Sequence, residues 1–127
     1  MARASQGILT IRDEQMAVFE VDARRRAFER LREHLRAACP AQTRALRDPQ
    51  LLAEVAQGVA QAARYGITAE ADLRVFLECR LELGADFDVR EDTAWAGEIL
   101  RDPTLFVSAK ADLLADRHML LGLPGAP

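Results

Sequence analysis

"TAEADLRVFLECRLELG", residues 68–84, decides the fold. Leu73, Val75, Phe76, Leu77, Cys79, Leu81 and Leu83 leave polar side chains mainly on the narrow stripe of Arg74, Glu78 and Glu82. A helix so nearly apolar all round must be covered from several sides, which makes it the central helix of a bundle. Thr68 can cap it, with Glu70 and Asp72 in the first turn where carboxylates meet the positive end of the helix dipole. Gly84 stops it, so the spacing predicts a helix over about 69–83.

Working outward, the punctuation stays helical. Asp48 followed by Pro49 reads as an N-cap with proline at the first helical position. Leu52, Val55, Ala56, Val59, Ala60 and Ala63 then form an inward stripe, and Gly66 supplies a left-handed stop after Tyr65. Gly58, inside this helix, costs up to about 1 kcal/mol against alanine unless a neighbouring helix needs close approach. Further upstream a long helix is predicted from about Arg12 to Ala38, with Thr10 as its cap. Ala17, Val21, Phe28, Leu31, Leu35 and Ala38 form its main stripe, with Phe19, Ala23 and Ala27 beside it. Pro40 breaks this helix and leaves room for one short helical piece before Asp48.

Downstream, "TAWAGEIL" (93–100) reads as a short helix stopped by Asp102 and Pro103, and Ser108 can cap a last helix through "AKADLLADRHMLL". Only "ILTI" (8–11) suggests a strand. The ends, 1–8 and 122–127, read as flexible. The expectation is therefore an all-α chain, one compact bundle of about five to six helices filling residues 1–127 as a single domain.

Composition narrows the function. Half the residues are apolar and 29% charged, as in ordinary globular proteins, and no apolar run reaches bilayer length, so neither a membrane span nor a secretory signal is expected. The chain reads as cytoplasmic, with Cys39 and Cys79 free and buried. Residues 1–67 hold eleven basic and eight acidic side chains, residues 68–127 six and twelve, and the net charge is −3. Such a chain repels phosphate backbones unless its arginines gather on one surface. "DARRRAFERLREHLR" (22–36) is the best candidate for that, but Glu20, Asp22, Glu29 and Glu33 interleave at helical offsets, as on a solvated face.

The acidic joint "ELGADFDVREDTAW" (82–95) invites a calcium reading, with Asp86, Asp88 and Asp92 at positions one, three and seven of a loop. Arg90, Glu91 and Gly97 then occupy positions five, six and twelve, where an EF-hand needs a ligand, glycine and glutamate. The template fails, and no metal site is expected beyond loose cation contact. Zinc lacks close ligand pairs among His34, Cys39, Cys79 and His118. Nucleophilic catalysis lacks a serine or thiol beside a base, Ser5 lying near the end and Ser108 serving as a cap. No P-loop or dinucleotide fingerprint is present. Neither a catalytic residue nor a cofactor is therefore assigned.

"ARYGITAEADLRVFL" (63–77), "LELGADFD" (81–88) and "WAGEIL" (95–100), in this order, resemble a family of small helical bacterial proteins associated with type VI secretion effector and spike gene clusters. Tyr65, Gly66, Ile67, Gly84, Asp86, Phe87, Asp88 and Trp95 carry the resemblance, which covers roughly the last two thirds of the chain; Ala94 stands where the family tends to have proline. It implies a non-enzymatic accessory role as adaptor, chaperone or immunity-type partner of a secreted effector or spike component.

On this reading Tyr65, Gly66, Gly84 and Phe87 are structural, Phe87 turning inward. Asp86, Asp88, Asp92 and Trp95 are the residues to meet a basic protein partner, Trp95 either packing on the central helix or anchoring an interface. The chain is expected to be a monomer or weak homodimer. The alternative is a DNA-binding regulator with a helix-turn-helix at about 54–83, although Ala69, Glu70, Ala71 and Asp72 would offer phosphates no positive partner. An unrecognised hydrolase is a third, more distant reading.

Overall fold

The computed structural model describes residues 21–121, and within them every regular element is a helix. Helix α1 spans residues 21–38, α2 Pro40–Thr43, α3 Asp48–Ala63, α4 Glu70–Leu83, α5 Ala94–Leu100 and α6 Val107–Leu121. The readings at 8–11, Thr10, Arg12, Ala17 and Phe19, and those of the two flexible ends, lie outside the described residues.

Helix α4 is the interior element that its composition demands. Leu73, Phe76, Leu77 and Cys79 are buried on it, and α3 and α6 both pack along it. Helix α1 reaches it through Arg30, which pairs with Glu70 at 2.8 Å, and through Cys39, whose thiol donates to Glu82 at 3.4 Å. Burying each large apolar side chain of this helix contributes about 1.5–3 kcal/mol. Phe76 is the hub, its ring 6.3 Å from Tyr65 and 5.2 Å from Phe87, the second contact edge-on.

Elsewhere the apolar stripes are turned from their predicted positions. On α3 the buried line is Leu51, Val55, Gly58 and Ala62, while Ala56, Ala60 and Ala63 are exposed. The cause is Gly58. A β-carbon there would overlap Leu77 Cδ2 and lie 3.2 Å from Arg80 Cδ, so α4 approaches α3 at the glycine and fixes which side of α3 is inside. On α1, Leu31 and Leu35 are buried with Phe28 beside them, as is Cys39 just after the helix, whereas Ala38 is exposed and Val21 is 66% exposed. The arginine run is also less solvated than expected. Arg25 pairs with Asp22 within the helix, but Arg36 holds Asp48 at 2.6 Å and donates to the carbonyls of Thr43 and Leu46, tying α1 to the start of α3.

Three caps differ by a residue or two. Arg47 precedes α3, and its backbone N–H donates to Gln50 at 2.9 Å, so Asp48 sits inside the helix and its carboxylate serves Arg36 instead. Ala69, not Thr68, precedes α4, and Ser108 lies within the first turn of α6. The stop at Gly66 is as expected: with φ +80°, its N–H reaches the Ala63 carbonyl and that of Ile67 reaches Ala62, a Schellman closure sealed by the fully buried Ile67 and Ala62 side chains.

Candidate functional site

The joint between α4 and α5, residues 84–93, is built upward from one buried charge. Arg80 falls on the inner face of α4, three and four residues after Leu77 and Phe76, and is only 7% exposed. Its Nη1 donates to Glu54 Oε2 at 2.6 Å and its Nε to Gln61 Oε1 at 2.8 Å, both on α3. Because a buried guanidinium must be matched by acceptors, this contact fixes Gln61 as well as Arg80. Gln61 then donates its Nε2 to the Ala85 carbonyl and to Asp88 Oδ1, each at 2.9 Å. Tyr65 completes the chain, its hydroxyl donating to Asp88 Oδ2 at 2.5 Å; burial and this carboxylate push the phenol up to about 12.

From the other side Arg101 donates to the Asp88 carbonyl at 2.5 Å and Thr93 to the Phe87 carbonyl at 2.7 Å. Gly97 admits this approach, since a β-carbon there would stand 2.6 Å from the Asp88 carbonyl oxygen. Gly84, at φ +115°, turns the chain out of α4, and Arg90 closes the turn by donating to Leu83 at 2.6 Å, Asp86 at 2.8 Å and Asp92 at 2.6 Å. Hydrogen bonding to Arg90 holds the Asp92 carboxyl below its ordinary range. Between the loop and α3 lies an open cleft of about 480 Å³, with Gln57, Arg64 and Arg80 on the helical side and Asp86 and Asp88 opposite.

The four residues expected to meet a partner therefore divide. Asp86 and Asp92 project, their side chains 61% and 72% exposed. Asp88 is buried at 4% exposure with its carboxylate spent on Tyr65 and Gln61, so it is a structural residue rather than a contact. Trp95 is half-buried at the rim of the core, between the two alternatives weighed for it. Phe87 is fully buried, Tyr65 lies beside Phe76, and Gly66 and Gly84 take positive φ at the ends of α3 and α4. Sequence reasoning missed Arg80, Gln61, Thr93 and Arg101. For Arg80 a signal existed: its seven-residue spacing from Leu73 puts a charge on the apolar face.

Other chemistries find little here. Among the described residues no group of three or more His, Cys, Asp or Glu side chains is arranged to hold a metal ion, and no helix is long and apolar enough to cross a membrane. In the helix-turn-helix alternative α4 would be the recognition helix; its buried face is Leu73, Phe76, Leu77 and Arg80, and its first turn carries the acidic Glu70 and Asp72.

Both cysteines are free, and both thiols are pushed up to about 12. Burial is the main cause, followed for Cys39 by its hydrogen bond to Glu82 and for Cys79 by the charges of Glu78 and Glu82. Neither is a thiolate nucleophile at neutral pH. With an aromatic disulfide reagent at pH 8, the folded protein should react far more slowly than the denatured chain, which should release two equivalents; fast native labelling of either thiol would contradict this burial. The sign of the linked pH effect is fixed too. From about pH 9 upward the unfolded chain releases thiol protons that the folded chain keeps, so stability is full below that pH and falls as pH rises toward 12.

Comparison with known protein families, curated proteins and solved structures found no match to this chain.

Proposed function

We propose that this domain is a non-enzymatic accessory protein that works by protein–protein contact, presenting the edge of Asp86, Asp92 and the adjoining Trp95 to a basic surface. The observation that carries this reading is the two-tier construction of the joint. Two exposed carboxylates are held by one arginine over a backbone that Gln61, Thr93 and Arg101 secure from beneath, with Tyr65 holding the Asp88 carboxylate. A surface already ordered loses little conformational entropy on binding. Its fixed negative charge favours a lysine- or arginine-rich partner and speeds encounter with it.

The resemblance of residues 63–100 to proteins beside type VI secretion genes supports a partner among effector or spike components, with this chain as adaptor, chaperone or immunity-type protein acting in the cytoplasm. The test is copurification with the products of adjacent genes, followed by titration of the captured partner. Affinity is expected to fall about tenfold or more when Asp86→Asn and Asp92→Asn are combined, and to weaken with added salt. Binding indifferent to both changes would sink the proposed surface, and failure to capture any adjacent gene product would sink the proposed setting.

A further inference from the structure

Helix α6 has two faces that are used differently. Ala111 and Leu114 are buried, and His118 turns inward to meet Glu82 at 2.5 Å. On the outside, Phe106, at the helix start, is 85% exposed, Leu113 41% and Leu120 57%. These three recur every seven residues, which at about 100° per residue places them on one line. A single exposed leucine calls for no explanation, but an aligned row led by an almost bare phenylalanine supplies one of the two apolar positions per heptad that a helix seam uses.

The flanks of the row are of opposite sign. The same rotation puts Asp112 and Asp116 on one side of it and Lys110 and Arg117 on the other. Lys110 is anchored, its Nζ donating to the Leu100 carbonyl at 2.8 Å, and retains two further donors. If two copies met along this row with their helices running in the same direction, a two-fold axis would set the acidic flank of each against the basic flank of the other. Running in opposite directions, acid would face acid and base would face base. We propose that α6 pairs in parallel with α6 of a second copy of this chain, through Phe106, Leu113 and Leu120, with Asp112 and Asp116 facing Lys110 and Arg117 of the other copy.

An exposed aromatic of this kind offers at most about 150–250 Å². The whole row thus falls well below the roughly 800 Å² per partner of a standard stable interface, and the dimer is a weak one. The experiment is sedimentation velocity on the full chain under reducing conditions, from about 5 to about 500 µM, a range that brackets a dissociation constant on the order of 100 µM. The wild-type chain is expected to pass from monomer to dimer across it, and Leu113→Glu to raise the constant at least tenfold.

Two charge-reversed chains test the direction. Asp112→Arg with Asp116→Arg, and separately Lys110→Glu with Arg117→Glu, should each be monomeric alone and should dimerise when mixed in equal amounts. Asp112, Leu113, Asp116 and Arg117 are exposed on α6 and Lys110 is half-buried, so Asp112→Arg with Asp116→Arg, which touches only exposed positions, tests the proposal independently of whether Leu113→Glu folds. A wild-type chain that stays monomeric at the highest concentration overturns the proposal. So does a Leu113→Glu chain that dimerises like wild type, or charge-reversed chains that pair with themselves as well as before.

Discussion

Arg80→Ala should lower the free energy of unfolding by about 3 kcal/mol, read from urea denaturation. Truncating one partner of a buried ion pair usually costs about 3–5 kcal/mol, because the charge left behind has lost its counterion. Here Glu54 is 38% exposed and can turn partly to water, which sets the lower end. The remaining cost falls on Gln61, which loses the donor to its Oε1 and with it the orientation that holds Ala85 and Asp88. The loss should therefore spread. Amide hydrogen exchange should quicken at Phe87, Val89 and Arg90, whose N–H groups bond within the 84–90 turn. Arg80→Lys should recover only part of the stability, since a single ammonium cannot serve Glu54 and Gln61 as a planar guanidinium does. An alanine chain within about 0.5 kcal/mol of wild type would show that Arg80 carries no structural weight.

Phe87→Ala is expected to be the more damaging change. The side chain is fully buried and packs edge-on against Phe76, and removing such a ring costs about 3–5 kcal/mol, part lost transfer energy and part the cavity left behind. Domains of this size have only about 5–15 kcal/mol in all. The midpoint of thermal unfolding should drop by roughly 10–20 °C. Phe87→Leu, which keeps most of the volume, should cost less than about half as much. A melting temperature within about 3 °C of wild type for the alanine chain would mean that the joint is not packed as described.

The large elements were legible because their signals are local. An apolar run bounded by Glu70, Asp72 and Gly84 can only be a helix enclosed on several sides, and a glycine at position 66 ends a helix through its own backbone freedom. What was not legible depends on pairs distant in the chain. Alanine-rich α3 carries too little contrast to declare its inner face, and the face is set instead by Leu77 closing on Gly58 from the neighbouring helix. The arginines of α1 look self-paired because Asp22, Glu29 and Glu33 are adjacent in sequence, while the carboxylates that Arg30 and Arg36 take, Glu70 and Asp48, are forty and twelve residues away. Asp86, Asp88 and Asp92 are indistinguishable as letters. Only the arrival of Gln61 from α3 and of Tyr65 from the turn that follows it makes the middle one internal.

That alternation gives the joint a division of labour. Asp88 maintains its shape, while Asp86 and Asp92 set what it displays, and the three alternate along a stretch of seven residues. Outward charge can consequently be rewritten, by drift or by design, without dismantling the scaffold beneath, whereas the middle carboxylate has no such latitude.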